Sequence, residues 1–179
     1  MVPSIRLLRI AAMVAVGVLV NGAAEGQTNA SVLARVTLPA PAPAVVPVQD
    51  LDFGNVVPGT PTAVNPRTGS NAGEFEISGT AGAEIAMDFA LPAALVVGPS
   101  NMPIAFGPGA GCQIGSLAFF RFFCGSFDPA ATLVRRIPNT GAPYNVIFVW
   151  LGGTVSPTPT QAPGIYRGTI TLTVAYTGN

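Results

Sequence analysis

The 179-residue chain contains no histidine and no lysine, and it has only two cysteines. Without histidine, the usual Ser-His-Asp and Cys-His catalytic arrangements are excluded. Two cysteines do not supply the normal ligand set of a zinc site. Eight arginines balance eight acidic residues, and charged side chains make up only 9% of the chain. This composition excludes the basic surface that is typical of nucleic-acid binding.

The N-terminal residues have the pattern of a secretory signal peptide. An apolar run over residues 7–20, preceded by Arg6, is followed by small residues at 22–24. Because the run is shorter than the roughly 20 apolar residues of a membrane-spanning helix, it favours a cleaved signal. We predict a signal peptide at 1–24, with cleavage at its end or after Gly26, and no stable membrane span afterwards. The mature protein is then expected in the periplasm, on the cell surface or outside the cell.

The mature chain has the size of one domain. Its N-terminal part, residues 27–49, combines a weakly alternating strand at Val32–Leu38 with a proline-rich connector, Pro39-Ala40-Pro41-Ala42-Pro43. Three prolines remove ladder donors, so the connector is predicted to be stiff, extended and outside any sheet interior. Residues 50–179 then form the predicted sandwich domain.

The terminal stretch from Gly164 to Tyr176 is the clearest predicted strand. Reading every second residue separates an apolar face from a face of arginine and threonine, as a half-buried strand requires. The predicted inward face consists of Tyr166, Gly168, Ile170, Leu172, Val174 and Tyr176. Such a face needs a second sheet to cover it.

The rest of the domain also reads as short strands between turn signals. The predicted strands include Glu74–Ser78 and Glu84–Leu91, joined by a hairpin-length turn, and a central strand that is apolar on both faces at Tyr144–Leu151. A strand-turn-strand passage is predicted from Val45–Val48 through Leu51–Gly54 to Val56–Gly59, with Pro-Gly as its turn. No segment after the signal has helical periodicity. Many short strands of this kind predict an all-β sandwich.

Cys112 and Cys124 are predicted to form a disulfide, because they are an even pair in a secreted chain. The loop between them carries an aromatic cluster whose members are Phe119, Phe120, Phe122 and Phe123. Read as a strand, this cluster places aromatic side chains on both faces. It is either an interaction surface, since large exposed apolar patches are rare on monomers, or ordinary core beneath the disulfide.

The acidic residues offer little further chemistry. Glu74 and Glu76 share one strand face, the arrangement from which a glycosidase carboxylate pair is built, but solvated strand faces routinely carry such pairs. Asp50 and Asp52 are either calcium ligands or ordinary turn acids, and the second interpretation is favoured. We therefore expect no catalytic residue, no cofactor and no metal site.

Three stretches resemble the bacterial family known as domain of unknown function 4402: LDFGNVVPGT (51–60), AGEFEISGTAGAEIAMDFALP (72–92) and VWLGGTVSPTPTQAPGIYRGTITLTVAYT (149–177). The resemblance implies a secreted protein with an immunoglobulin-like or pilin-like sandwich, and no activity. A more distant likeness to chaperone–usher pilins and spore coat protein U domains rests on the spacing from Gly164 to Tyr176. Three residues follow Tyr176, whereas pilins usually end one residue after the corresponding tyrosine.

The pilin likeness suggests one way in which the protein acts. A sandwich that lacks one strand exposes an apolar groove, which a neighbour's N-terminal segment fills by strand addition. Here the candidate donor is Val32–Leu38. We therefore expect a non-enzymatic structural or cell-surface protein that self-associates or joins other surface subunits. The alternative is a monomeric secreted module that binds a glycan or lipid through the aromatic loop at 112–124.

Overall fold

The computed structural model describes residues 41–116 and 118–178, so the predicted signal peptide and the predicted strand at Val32–Leu38 lie outside the described residues. The described strands are β1 (Ala44–Gln49), β2 (Thr62–Val64), β3 (Gly73–Ser78), β4 (Glu84–Ala90), β5 (Ala94–Val97), β6 (Ser100–Ala105), β7 (Gly111–Gly115), β8 (Gly125–Phe127), β9 (Leu133–Arg136), β10 (Val146–Leu151), β11 (Gly153–Val155) and β12 (Thr171–Tyr176). One 3-10 helix, Ala118–Phe123, precedes β8. None of the described helical segments has the length and apolar character needed to cross a membrane.

Two antiparallel sheets form the body of an all-β sandwich. The first has the strand order β1-β3-β10-β7-β8, and the third has the order β12-β4-β9. Their inner faces meet in the largest buried cluster, which includes Ile77 and Val149 from the first sheet and Ile85 and Met87 from the third. All four side chains are completely buried. The predicted all-β sandwich is therefore confirmed.

The second sheet has the order β2-β11-β6-β5. Its strand β11 begins directly after Gly152, which follows the end of β10 in the first sheet. Gly152 lies between β10 and β11, and a Cβ atom there would meet the Val64 carbonyl and the Pro66 ring. Only glycine allows the backbones to approach so closely. The inner face of this sheet carries a smaller core cluster formed by Met102, Ile104 and Val155.

The strand β10 occupies the centre of the first sheet, as its two-sided apolar sequence predicts. It pairs with β3 on one side and with β7 on the other. Trp150, near its end, is 1% exposed. A strand covered on both faces carries a continuous apolar run, and that run is what predicted a central strand here.

The predicted hairpin between β3 and β4 is wrong. The turn at residues 79–83 exists, but β3 pairs with β1 and β10 in the first sheet, whereas β4 pairs with β12 and β9 in the third. The turn is thus an arch between the two layers. Of the predicted strand-turn-strand passage, Val45–Val48 lies in β1 and the turn at Pro58-Gly59 is present, but residues 51–57 form no strand, so that part of the prediction is wrong.

The terminal strand is shorter than predicted. Residues 164–170 are extended without a ladder, apart from one pairing in which Arg167 and Val96 exchange two backbone hydrogen bonds of 2.8 and 3.0 Å. Regular pairing with β4 begins at Thr171 and continues to Tyr176. The stretch therefore contacts the second sheet first and then joins the third.

Candidate interaction site at the open edge of the sandwich

One side of the sandwich, between β1 and β12, is not closed by backbone pairing among the described residues. β1 is the edge of the first sheet, β12 is the edge of the third, and Cα atoms of the two strands come within 8 Å of each other. Within residues 41–116 and 118–178, no strand pairing joins them. We call this open side the edge gap. Edge strands present backbone N–H and C=O groups that remain available to another strand.

The predicted inward face of the terminal stretch points toward the edge gap and the core. Ile170, Leu172, Val174 and Tyr176 are half-buried and pack against the main core cluster, whereas the alternate residues Thr171 and Thr173 are exposed. Tyr166 is half-buried against the smaller cluster, and Gly168 is exposed. The apolar side chains of β12 thus remain incompletely covered on the side of the gap.

The strand β1 is still less covered. Among its residues only Val45 reaches half-burial, where it packs against the main core cluster. Pro47 is paired in register with Phe75, which packs on the core, yet Pro47 itself is exposed. Val46 and Val48, on the other face, are 52% and 53% exposed. An apolar strand with so little cover is unusual on the edge of a finished sandwich.

A cavity of about 1160 Å³ opens at the end of the edge gap where β1 finishes and β12 begins. Pro47 and Gln49 line it on the side of β1, Ile170 lines it on the side of β12, and Phe75 and Leu151 form part of its floor. The cavity extends beneath the second sheet to Leu95, Met102, Ile104 and Val155. It is the wide end of the edge gap, and its floor is apolar.

The far end of β12 is anchored by its tyrosine. The Tyr176 hydroxyl accepts a hydrogen bond from the Thr80 backbone N–H (2.7 Å) and donates one to Thr80 Oγ1 (3.2 Å). Gly79 makes room for this contact, because a Cβ atom there would lie 2.6 Å from the Tyr176 hydroxyl and 2.7 Å from Ile137 Cδ1. In this structure the tyrosine therefore connects β12 to the arch between β3 and β4.

The predicted disulfide between Cys112 and Cys124 is present, with a Cα–Cα distance of 5.6 Å. Both sulfurs are buried beside Trp150 and Ala72 in a separate small cluster. The bridge closes a short loop, which in the chain-entropy account stabilises the fold by roughly 3 kcal/mol. It fixes the aromatic loop on the outer face of the first sheet.

The aromatic loop forms a 3-10 helix, Ala118–Phe123, rather than the alternating strand considered from the sequence. The side chains of Phe119 and Phe120 lie outside the described part. Phe122 and Phe123 are 67% and 74% exposed and meet edge to face, with ring centroids 5.7 Å apart. For these two residues the structure favours the surface interpretation over the core interpretation.

Two arginines hold this loop to the Asn65–Gly69 turn. Arg121 donates through Nε–H to the Pro66 carbonyl (2.7 Å) and through Nη2–H to the Gly69 carbonyl (2.9 Å). In return, Arg67 donates to the Phe122 carbonyl (3.3 Å) and to Ser126 Oγ (2.8 Å). The two segments are therefore tied together in both directions.

The guanidinium of Arg121 also covers Trp150. Its Cζ lies 5.1 Å from the ring centroid, within the range of a cation–π contact, and Phe148 stacks on the same indole. Burial lowers the pKa of the Arg121 guanidinium, and the negative charge of Glu74 acts in the opposite direction. An arginine at this depth remains charged near neutral pH.

The acidic residues do not come together as a ligand cluster. Glu74 and Glu76 are half-buried and pair in register with Trp150 and Phe148 of β10. Asp52 Oδ1 accepts a hydrogen bond from the Gly54 N–H (2.8 Å), which is the geometry of a turn acid. In the described ranges 41–116 and 118–178, no group of three or more metal-binding side chains is present.

Sequence reasoning did not find the edge gap or the arginine contacts. The poor cover of β1 depends on which strand lies beside it, and the partners of Arg67 and Arg121 are three backbone carbonyls and the Ser126 hydroxyl, all more than 50 residues away. Comparison of the chain with family models, curated proteins and solved structures yields no match.

Proposed function

We propose that this is a secreted, non-enzymatic structural protein of the cell surface whose subunits assemble by adding a strand to the edge gap. The observation that carries the proposal is the half-buried apolar face of β12, opposite the almost uncovered strand β1. A neighbouring strand placed there would cover Leu172, Val174 and Pro47 and would pair with free backbone groups.

The chemistry of the strand edges supports this site. Natural sheets block unwanted pairing with charged edge residues, and β9, the other edge of the third sheet, ends in Arg135 and Arg136. No charged residue occurs in the sequence from 168 to 179 or from 36 to 49, which include β12 and β1. The two strands that border the edge gap therefore lack charged protection, although β1 carries Pro47 and an irregularity in its pairing with β3 between Pro47 and Gln49.

The proposed occupant is the segment Val32–Leu38 of another copy. Its alternate residues Val32, Ala34, Val36 and Leu38 form an apolar face that matches the apolar floor of the gap. Seven residues extend over roughly 23 Å at about 3.3 Å per residue. A strand paired on both sides needs about 9.5 Å between its neighbours, so β1 has to move outward where it approaches β12 most closely.

Donation to another copy is favoured over insertion into the same chain. The connector from Pro39 to Pro43 contains three prolines and leads directly into β1. Proline-rich linkers extend at about 3.1 Å per residue and resist reversal. Insertion into the same chain requires such a reversal, so we propose donation to another copy.

Secreted protein should first be sequenced at its N-terminus, where we expect a start near Glu25 or Gln27. Its assembly is then measured by light scattering after size exclusion and by electron microscopy. Val36→Asp, on the inward side of the donor, should abolish oligomers, because it buries an unpaired carboxylate. Thr37→Asp, on the outward side, carries the same charge and should leave them intact. Equal behaviour of these two variants, or a wild-type monomer at all concentrations, contradicts the proposal.

A second candidate function is suggested by the exposed ring pair at Phe122 and Phe123. A monomeric secreted module would use this pair to contact a glycan or lipid. The test is binding of the mature protein to a glycan array and to lipid vesicles. A monomer whose binding is lost in Phe122→Ala, with unchanged thermal stability, supports this function over assembly.

A further inference from the structure

The wide end of the edge gap has rims of opposite charge. Of the described residues that line the cavity, three are charged: Asp50 and Asp52 follow β1, and Arg167 precedes β12 on the other side. All three are exposed. Within residues 41–116 and 118–178, neither aspartate forms an ion pair. The acidic rim therefore has an unused capacity to bind a cation.

The proposed donor segment carries one suitable charge. Arg35 is the only charged residue between Glu25 and Asp50 in the sequence. It lies near the middle of Val32–Leu38, on the side opposite the apolar residues. A segment inserted with its apolar face toward the floor would therefore hold the guanidinium at the mouth of the gap.

We infer that Arg35 of one copy pairs with Asp50 and Asp52 of the next, and that this contact limits the register of the inserted strand. The inference rests on the proposed function. It commits to a second copy of this chain as the partner, and it assigns Arg35 a positioning role. Arg167 on the opposite rim repels Arg35 and directs it toward the acidic side.

The apolar face of the donor cannot select a register by itself. A shift by one residue turns the apolar side chains toward solvent and is excluded. A shift by two residues keeps an apolar side chain at each inward position. The same shift moves Arg35 by roughly 6.6 Å, which is about the spacing of Asp50 and Asp52, so it can pass the guanidinium from one aspartate to the other. A further shift of two residues removes the pair, so the charge limits the inserted strand to neighbouring registers.

The test uses two variants of the full mature chain, Arg35→Glu and the double variant Asp50→Arg/Asp52→Arg. Each alone places like charges at its own interface and should weaken self-association by roughly fivefold or more, the effect of an exposed ion pair. Mixed in equal amounts they present opposite charges at both interfaces, so association should return to within about twofold of the wild type. Sedimentation velocity at low and high salt measures this, and the recovery should diminish at high salt.

Two controls separate the possible outcomes. Asp88→Arg/Asp128→Arg changes the net charge equally outside the cavity, and it should neither weaken association nor restore Arg35→Glu. If the aspartate variant does not fold, Arg35→Gln replaces it and should remove the salt dependence of wild-type association.

A chain lacking residues 31–38 tests the proposed function itself. If this deletion abolishes assembly while the charge reversals have no effect, the register contact is wrong and the assembly proposal survives; if the deletion has no effect, both fail.

Discussion

Replacement of Leu172 by alanine tests how the terminal strand is packed. Leu172 lies in the middle of β12, pairs in register with Phe89 of β4 and packs half-buried against the main core cluster. Truncating a fully buried leucine to alanine costs about 2–5 kcal/mol. Because Leu172 is partly exposed, we expect a loss near the lower end of this range, roughly 2–3 kcal/mol in the free energy of unfolding. This is a measurable share of the roughly 5–15 kcal/mol of a typical domain.

The matched control is Thr173→Ala, one residue along the same strand. Thr173 is exposed on the outer face, so its truncation should change the free energy of unfolding by no more than about 0.5 kcal/mol. Both variants are measured by urea unfolding, with the fluorescence of Trp150 as the signal. If Thr173→Ala proves the more damaging, the assigned faces are wrong. If neither variant is destabilised, β12 is not packed in the isolated subunit.

Two further predictions concern contacts that hold the strand and the loop. Gly79→Ala forces a methyl group against the Tyr176 hydroxyl and should lower the free energy of unfolding by about 1–3 kcal/mol in a urea melt; unchanged stability would refute the close contact. Arg121→Ala removes two charge-assisted hydrogen bonds and the cation–π contact with Trp150, so it should cost about 2–4 kcal/mol and change the Trp150 fluorescence. The exposed Arg136→Ala is its control, with an expected cost below about 1 kcal/mol, and a comparable loss in both would contradict the arginine contact.

The strands were predictable wherever the pattern of apolar and polar side chains followed the burial of the two faces of the strand. β4 alternates because one of its faces meets the core, and β10 is apolar throughout because both of its faces are covered. The terminal strand β12 alternates in the same way, with Leu172, Val174 and Tyr176 packed against the core cluster, although its ladder begins only at Thr171. Residues 164–170 keep the alternation of apolar and polar side chains but do not join a ladder of backbone hydrogen bonds. Side-chain periodicity indicates which residues are buried and does not indicate which backbone groups are paired.

The connections were harder to predict than the strands. A turn of hairpin length at residues 79–83 joins β3 and β4, and nothing in its sequence shows that the chain crosses to the other sheet. The helix at Ala118–Phe123 is held by a disulfide and by arginine contacts to a distant turn, so local pattern could not reveal it. These features depend on tertiary neighbours that single-sequence periodicity does not contain.

The candidate site contains one feature that was predictable from side-chain pattern and others that depend on tertiary neighbours. The apolar face of β12 was visible in the sequence, but its position beside β1 follows only from the order of strands in two different sheets. The exposure of Val46, Pro47 and Val48 could not be foreseen, because apolar residues in a strand ordinarily predict burial. Asp52 is held as a turn acid by the Gly54 N–H, and the position of Asp50 and Asp52 beside the cavity follows only from the tertiary structure.

Hydrogen exchange of the β12 amides tests the central proposal most directly. In the isolated subunit, one edge of Thr171–Tyr176 pairs with β4, and the opposite edge has no strand partner within the described residues. Strand addition would pair that second edge, so amides that exchange rapidly in a chain lacking residues 31–38 should become protected in the assembled mature protein. The outward-facing β9 amides should exchange equally in both samples. Protection of β12 in the assembled protein alone is the predicted result, and identical exchange of β12 in the two samples would contradict the account.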